Sequence, residues 1–437
     1  MKKRLLATLL SSTLVMTSLA GCSSKSENGD MVTELTKPIT IEMWHYMNGG
    51  QAEVLNEIIE DFNATNDKGI TVNAISQGSI VDLNKKVISA AQSNSLPAII
   101  NVYPDIATGL IEDKKLVNLS SFINDKNVGM ADEMDDFVDS FIQETSQWNN
   151  GEVYGLPMTK STEVLYVNKN MLESLGYTLE DLEGLTFEKL AEISNKAVTE
   201  LGVAGFGFDS SSNAFISSLK MNGLDFVDSK GTINVDNEWV REYMTFFQKQ
   251  AESGAFRIAG EDKFLSNPFV NQKMLCYQGS SAGYAYLNNG GAFEIAVVEV
   301  PVFEGKDKAV MQQGASLFVT NNVSAEAQYA AYEFVKFATN AENTAKFATA
   351  TGYLPVRKSA VETEIVKNIL NDETSLYSQV YNVAQKSLPY SYYTPAINNA
   401  QSARTVAQEK YEAFMSGSIK DVEVLVDDIV SQVQTSI

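Results

Sequence analysis

The sequence predicts an α/β protein whose first half is a parallel sheet covered by helices. Three observations carry this. Short runs at 39–44, 70–75 and 98–103 have strand character, with apolar residues at alternating or successive positions. Between them, at 51–62 and 82–91, apolar residues recur at helical spacing. The same two periods return through 164–339. Strand, helix, strand, helix, strand is the pattern of a parallel sheet with helices packed on its faces.

In order along the chain, Ile39, Ile41 and Met43 alternate with polar residues and mark the first strand. Val54, Leu55, Ile58, Ile59 and Phe62 form one face of the first helix, and residues 63–69 break it. A strand at 70–75, a helix at 82–91 and a strand at 98–103 follow. Ligands of such sheets collect at the carboxyl ends of strands, so the loops after Trp44, Ile75 and Tyr103 are the first candidates. A second α/β region has strands at 164–167, 273–278, 293–301 and 314–319, and helices at 187–201, 238–253 and 325–339. From Pro395 the chain is expected to turn helical once more, with Thr394 as N-cap of that helix and Pro395 in its first turn. Ala400, Ala403, Ala407, Tyr411 and Phe414 are its buried stripe. No internal repeat is evident.

The chain opens with Lys2, Lys3 and Arg4, then an apolar run over 5–19, the layout of a secretory leader. The run is short of the roughly 20 residues that span a membrane. Leu19-Ala20-Gly21-Cys22 closes it and resembles a bacterial lipobox. That resemblance implies cleavage before Cys22 and a diacylglycerol on its sulfur, which holds the protein outside the cytoplasm. Residues 1–21 are then the signal peptide and residues 22–38 a polar tether. Removing the three cations of the leader takes the formal charge from −22 to −25. That acidity argues against a nucleic-acid partner.

With Cys22 lipidated, Cys276 stands alone, so no intramolecular disulfide is expected, and Cys276 reads as a small core residue. His45 is the single histidine. Metal sites built from His and Cys are therefore not expected. His45 has no G-x-S-x-G serine to serve, and no Walker A sequence is present. Gly205-Phe206-Gly207 lacks the third glycine of a dinucleotide loop. No cofactor is expected. Catalysis by carboxylates alone is not excluded by counting residues.

Further motifs are Trp44-His45-Tyr46-Met47, Asp61-Phe62-Asn63-Ala64-Thr65-Asn66, Val102-Tyr103 and Ser161-Thr162 before Val164-Leu165-Tyr166-Val167-Asn168-Lys169. Ser280-Ser281, Gly314-Ala315-Ser316 and Thr351-Gly352-Tyr353-Leu354-Pro355 come later. In this order and spacing they resemble the extracellular solute-binding proteins of ABC importers, in the family that includes maltose-binding protein. Within it the chain is most similar to the glycerol-3-phosphate binders. The resemblance implies a two-lobed periplasmic-binding-protein fold of type II, with ligand in the cleft and lobes that close by a hinge motion. It implies crossings near 158–161, 301–304 and 354–356. The N-terminal lobe would be 39–158 with 303–354, and the C-terminal lobe 159–302 with 355–437. It further implies a monomer that captures a small polar solute, acts on permease subunits and is not an enzyme. The favoured cargo is glycerol-3-phosphate or a glycerophosphodiester, with a mono- or oligosaccharide as the alternative.

The same resemblance assigns residues. Arg404 matches the phosphate contact and suits it, being permanently charged and able to donate in a fork. Ser161, Ser281 and Gly314 match hydroxyl and backbone donors, with Ser280 an alternative to Ser281. Tyr353 matches a tyrosine that reaches the ligand across the cleft, or else it packs the hinge. His45 and Tyr46 cap the first strand or touch ligand. The chain departs from the pattern in three places. Pro104 stands where the glycerol-binding carboxylate belongs, with Asp105 next to it. The tyrosine expected near Ile80 is missing. Asp209 and Ser210-Ser211-Ser212 replace tryptophans, and Asp209 becomes a candidate for ligand hydroxyls. Tyr390, Tyr392 and Tyr393 either supply the missing stacking surface or pack the hinge.

Overall fold

The computed structural model describes residues 31–437, so the leader and Cys22 lie outside the described residues. Its twelve strands are β1 (Ile39–His45), β2 (Ile70–Ser76), β3 (Ile99–Val102), β4 (Gly155–Pro157), β5 (Glu163–Asn168), β6 (Phe206–Phe208), β7 (Phe256–Ile258), β8 (Cys276–Ser280), β9 (Ile295–Val298), β10 (Val310–Met311), β11 (Ser316–Val319) and β12 (Ser391–Tyr392). They form two five-stranded sheets, ordered β2-β1-β3-β11-β4 and β7-β6-β8-β5-β9, and one small pair, β10-β12. Each large sheet is the centre of one lobe.

In the first sheet β1 runs parallel to β2 and β3, and β11 returns antiparallel to β3 and β4. Both faces are covered, which explains its apolar strands. Successive residues point to opposite faces. Met43 and Ile99 join the core with Leu55, Ile58, Ile59 and Phe62 of the helix Gly50–Thr65. Trp44 and Ile100 join Leu83, Val87, Ala90 and Ala91 of the helix Ile80–Gln92. Ser79 starts that second helix with a reciprocal capping box to Asp82, each group 3.2 Å from the other's backbone N–H. Complete burial of each Leu or Ile here contributes about 1.5–3 kcal/mol.

The second lobe has an aromatic centre. Phe187, Phe206, Phe208, Phe247 and Phe303 pack together, with Phe187 and Phe303 at 4.5 Å between centroids. Cys276 is buried beside them, its thiol donating to the Gly205 carbonyl at 3.2 Å. Burial pushes that thiol well above its ordinary range. Among the described residues no helix is long and apolar enough to cross a membrane.

Two lobe boundaries differ from expectation. Phe303, Ala309 and Met311 belong to the second core, so the chain returns to the first lobe after Met311 and not at 303. After Pro355 the chain does not leave at once. Val356 lies in the first core, and Glu364–Leu370 packs against the first-lobe helix Ala341–Thr351. The helix expected from Pro395 also starts later, at Ala400, and a further helix, Val422–Ser436, follows it. Asn399 precedes it at φ 58°, a left-handed conformation that asparagine tolerates. Residues 394–398 bridge the lobes instead. The Ala396 N–H donates to Gln147 Oε1 at 2.7 Å, and Asn398 Nδ2 donates to Glu112 Oε2 at 2.5 Å. The stripe from Ala400 to Phe414 is buried as expected.

The crossings are stitched to one another. Ser161 and Gln313 exchange backbone hydrogen bonds of 3.0 and 2.9 Å, and the Leu354 N–H donates to the Lys160 carbonyl at 2.6 Å. Lys160 is fully buried among them, with its Nζ 2.5 Å from Glu144 Oε2 and 3.0 Å from the Gly314 carbonyl. Gly314 has φ 123°, and a Cβ there would lie 1.6 Å from the Thr159 carbonyl oxygen. Only glycine fits that crossing.

Candidate functional site

A cavity of about 790 Å³ opens between the lobes at the carboxyl end of β3. Tyr103, Asp105 and Ile80 line it from the first lobe, Gly314 from the hinge, and Ser212 and Arg404 from the second lobe. Two helix starts shape it. Tyr103 is the N-cap position of Pro104–Glu112 and Pro104 its first residue, a position that suits proline. Asp105 therefore sits in the first turn and in the cavity wall. The helix Ala400–Met415 brings Arg404 from the other side.

Arg404 and Asp105 oppose one another electrostatically across this space. The Asp105 carboxyl is raised by burial, against the pull of the Ile106 N–H, 2.8 Å away, and of Arg404. Arg404 Nη2 donates to Asn213 Oδ1 at 2.5 Å and to Ser212 Oγ at 3.4 Å. Behind Asn213 lies Glu163, only 2% exposed. Its oxygens accept from Asn213 Nδ2 at 2.9 Å and Gln278 Nε2 at 3.1 Å. Burial pushes its carboxyl up to about 7, with the two amides and Arg404 opposing.

Of the residues singled out in the sequence, Asp105, Gly314 and Arg404 meet in the cavity wall. Tyr46 and Tyr353 form a pair outside it, their hydroxyls 3.4 Å apart, with Tyr46 Oη 3.1 Å from Thr159 Oγ1. Tyr353 also stacks on Phe347. The others are engaged by the protein. Ser161 is held in the hinge ladder. Ser280 Oγ accepts from the Ala282 N–H and starts a short turn, while Ser281 Oγ accepts from the Thr162 N–H. Asp209 is half-buried, its Oδ1 accepts from the Leu265 N–H at 2.6 Å, and burial pushes it up to about 6. His45 is 3% exposed with Nδ1 accepting from the Met47 N–H, and burial lowers it to about 4. Its ring is a neutral cap on the strand end. Tyr392 packs against the second-lobe core, its hydroxyl 2.9 Å from Ser217 Oγ.

Sequence reasoning named Tyr103 only within a motif and as the start of a candidate loop, named Ser212 only as a departure from the family pattern, and passed over Glu144 and Glu163. Tyr103 carried a signal, since it ends a fully buried strand immediately before a helix-starting proline. Glu163 also carried one, as a carboxylate opening a strand buried at all six positions. A charge there demands partners. Among the described residues no group of three or more His, Cys, Asp or Glu is placed to hold a metal ion.

A family model described as bacterial extracellular solute-binding protein matches residues 57–371. The sn-glycerol-3-phosphate-binding periplasmic protein UgpB of Rhizobium meliloti (strain 1021) is 23% identical over 408 residues, covering 90% of this chain and 92% of that protein. The protein of the same name from Escherichia coli (strain K12) is 23% identical over 393 residues, covering 86% and 88%. The structure of UgpB from Mycobacterium tuberculosis in complex with glycerophosphocholine superposes with a TM-score of 0.78 at 21% identity, over 91% of this chain and 98% of that one. The cyclic alpha-maltosyl-1,6-maltose binding protein from Arthrobacter globiformis gives 0.76 at 18% identity, over 92% and 99%. At these identities the two structures speak to the fold alone.

Proposed function

Because the chain belongs to the bacterial extracellular solute-binding protein family, we propose that it captures solute for an ABC importer and that its cleft takes glycerol-3-phosphate or a glycerophosphodiester. The observation that carries this reading is Arg404 in the cavity wall, opposed by Asp105 on the other lobe. A phosphate accepts charge-assisted bonds from the guanidinium, each worth about 1.5–3 kcal/mol. The glycerol hydroxyls donate to Asp105. The Gly314 N–H and the Tyr46 and Tyr353 hydroxyls complete the set as the lobes close. Relatives named for glycerol-3-phosphate binding support the choice of cargo. In this reading the protein binds without turnover, works as a monomer with permease subunits, and is tethered outside the cell membrane by lipid on Cys22.

A second reading is favoured by the cavity itself. About 790 Å³ is ample for a disaccharide or larger, and one structural neighbour is named for an oligosaccharide. A thermal-shift panel of glycerol-3-phosphate, glycerophosphocholine, maltose and longer sugars separates the two. A ligand at 100 times its Kd adds about 2.7 kcal/mol to the folded state. Phosphate esters are expected to shift the native protein and to lose the shift in Arg404→Ala. A response to sugars alone, retained in that variant, overturns the phosphate reading and leaves the importer role standing.

A further inference from the structure

We propose that Glu163 is the positioning residue for Arg404 and that it makes anion capture in the cleft proton-linked. The inference rests on the reading that Arg404 meets the ligand's phosphate. Its basis is the chain of contacts from Arg404 through Asn213 to Glu163 and Gln278. An amide has one acceptor and one donor end. Because the Glu163 carboxylate takes the Asn213 Nδ2 donor, the Asn213 Oδ1 acceptor is left facing Arg404. Glu163 thereby decides which atom the guanidinium meets, without touching it.

Glu163 is buried with no cation on its oxygens, only the two amides. Gln278 Oε1, on the amide that donates to Glu163, is buried and has no hydrogen-bond partner. Half a turn of that amide presents this acceptor to a protonated Glu163. The pocket thus accommodates the carboxylate and the acid. The groups that act on Glu163 are few. Arg404 favours its ionised form and Asp209 opposes it, while the Tyr392 phenol lies nearby and uncharged. From the flanking strands, β8 brings only the buried Cys276 thiol and Tyr277, and β9 brings nothing ionisable. The helix Ser211–Lys220 brings Lys220, which is paired with Asp225 at 2.6 Å. Across the cavity, Asp105 competes for Arg404.

An anion bound at Arg404 competes for the same positive charge. Ionised Glu163 is then disfavoured, and it takes up a proton from solvent as the anion binds. Burial already holds this carboxyl up at about 7, where a modest change in field moves the proton. Affinity for an anion therefore falls as pH rises above that value, by up to about tenfold per unit.

Calorimetry with glycerophosphocholine tests this, because its phosphodiester keeps one negative charge from about pH 6 to 8. Titrations near pH 7 in two buffers of different ionisation heat count the protons exchanged. The native protein is expected to take up part of one proton, and Glu163→Gln none, with pH-independent affinity. Glutamine keeps the shape, since its oxygen still accepts from Asn213 and its amide donates to the rotated Gln278. Binding by the native protein without uptake overturns the proposal alone, as does uptake that survives in Glu163→Gln. Native protein that does not bind the diester overturns the phosphate reading and the proposal with it. If the variant fails to fold, Asp105→Asn decides: uptake retained in that variant supports Glu163 as the proton's site, and uptake lost with Asp105 overturns the proposal.

Discussion

His45 and Glu163 are both buried, and they tilt stability in opposite directions with pH. The imidazole is lowered to about 4 from its ordinary 6.5. Between those values the unfolded chain binds a proton that the fold refuses. The stability His45 contributes is thus present above pH 6.5 and lost as pH falls through 4, by about 3 kcal/mol. Glu163, raised from 4.5 to about 7, contributes below pH 4.5 and loses its share as pH rises through 7. His45→Asn isolates the first effect, since the asparagine oxygen still accepts from Met47. In urea titrations the native advantage over this variant is expected to shrink by about 3 kcal/mol from pH 7 to 4. A constant difference would mean that the imidazole ionises freely in the fold. At this scale the sequence revealed charge and residue type but not contact. Arg404's place at the cleft was expected from family likeness, and its chain of contacts through Asn213 to Glu163 was not, because that chain joins three segments distant in sequence.

Among the elements, the hinge carries the sharpest energetics. Lys160 is fully buried and its partner Glu144 is 7% exposed, so the pair sits where desolvation cancels much of its attraction. Removing one partner leaves the other charged and buried. Lys160→Met is expected to cost about 3–5 kcal/mol in chemical denaturation, and adding Glu144→Leu to recover most of it. A double variant no better than the single would show that Gln312 and Gly314, not the charge, set the cost. Elements with several periods of pattern were legible. Phe187–Leu201 matches expectation at both ends, because its apolar stripe and Thr186 cap agree. Strands β4, β10 and β12 were not, having only two or three residues in which to show a period. The misplaced start at Pro395 has a local cause. Thr394-Pro395 carries helix-start chemistry, but Ala396 and Asn398 are held by Gln147 and Glu112 of the other lobe. Tertiary contacts outweighed the local preference.

At the scale of the whole molecule, a formal charge of −22 surrounds a cleft proposed to take an anion. Long-range repulsion slows such a ligand's approach, while Arg404 acts only once it has arrived. Raising salt from about 10 to 150 mM shortens the screening length to about 8 Å. The association rate of glycerol-3-phosphate is expected to rise over that range in stopped-flow fluorescence, and that of a neutral disaccharide to stay flat. A rate for the phosphate ester that falls with salt would mean that the local field of the cleft governs encounter. The two α/β regions were legible because long strands and helices mark each sheet, and their arrangement as two lobes was legible only through the family likeness. The handover between lobes was not, since Phe303, Ala309 and Met311 flank a charged turn over 304–308 and only packing assigns them to the second core.

Cys276 is the one cysteine among the described residues, buried and bonded to the Gly205 carbonyl. To a maleimide dye this body is therefore blank. Cysteines introduced at exposed positions, one on each lobe, would be labelled without first removing a native thiol. The opening and shutting of the cleft would then be read directly, molecule by molecule, as energy transfer between two colours.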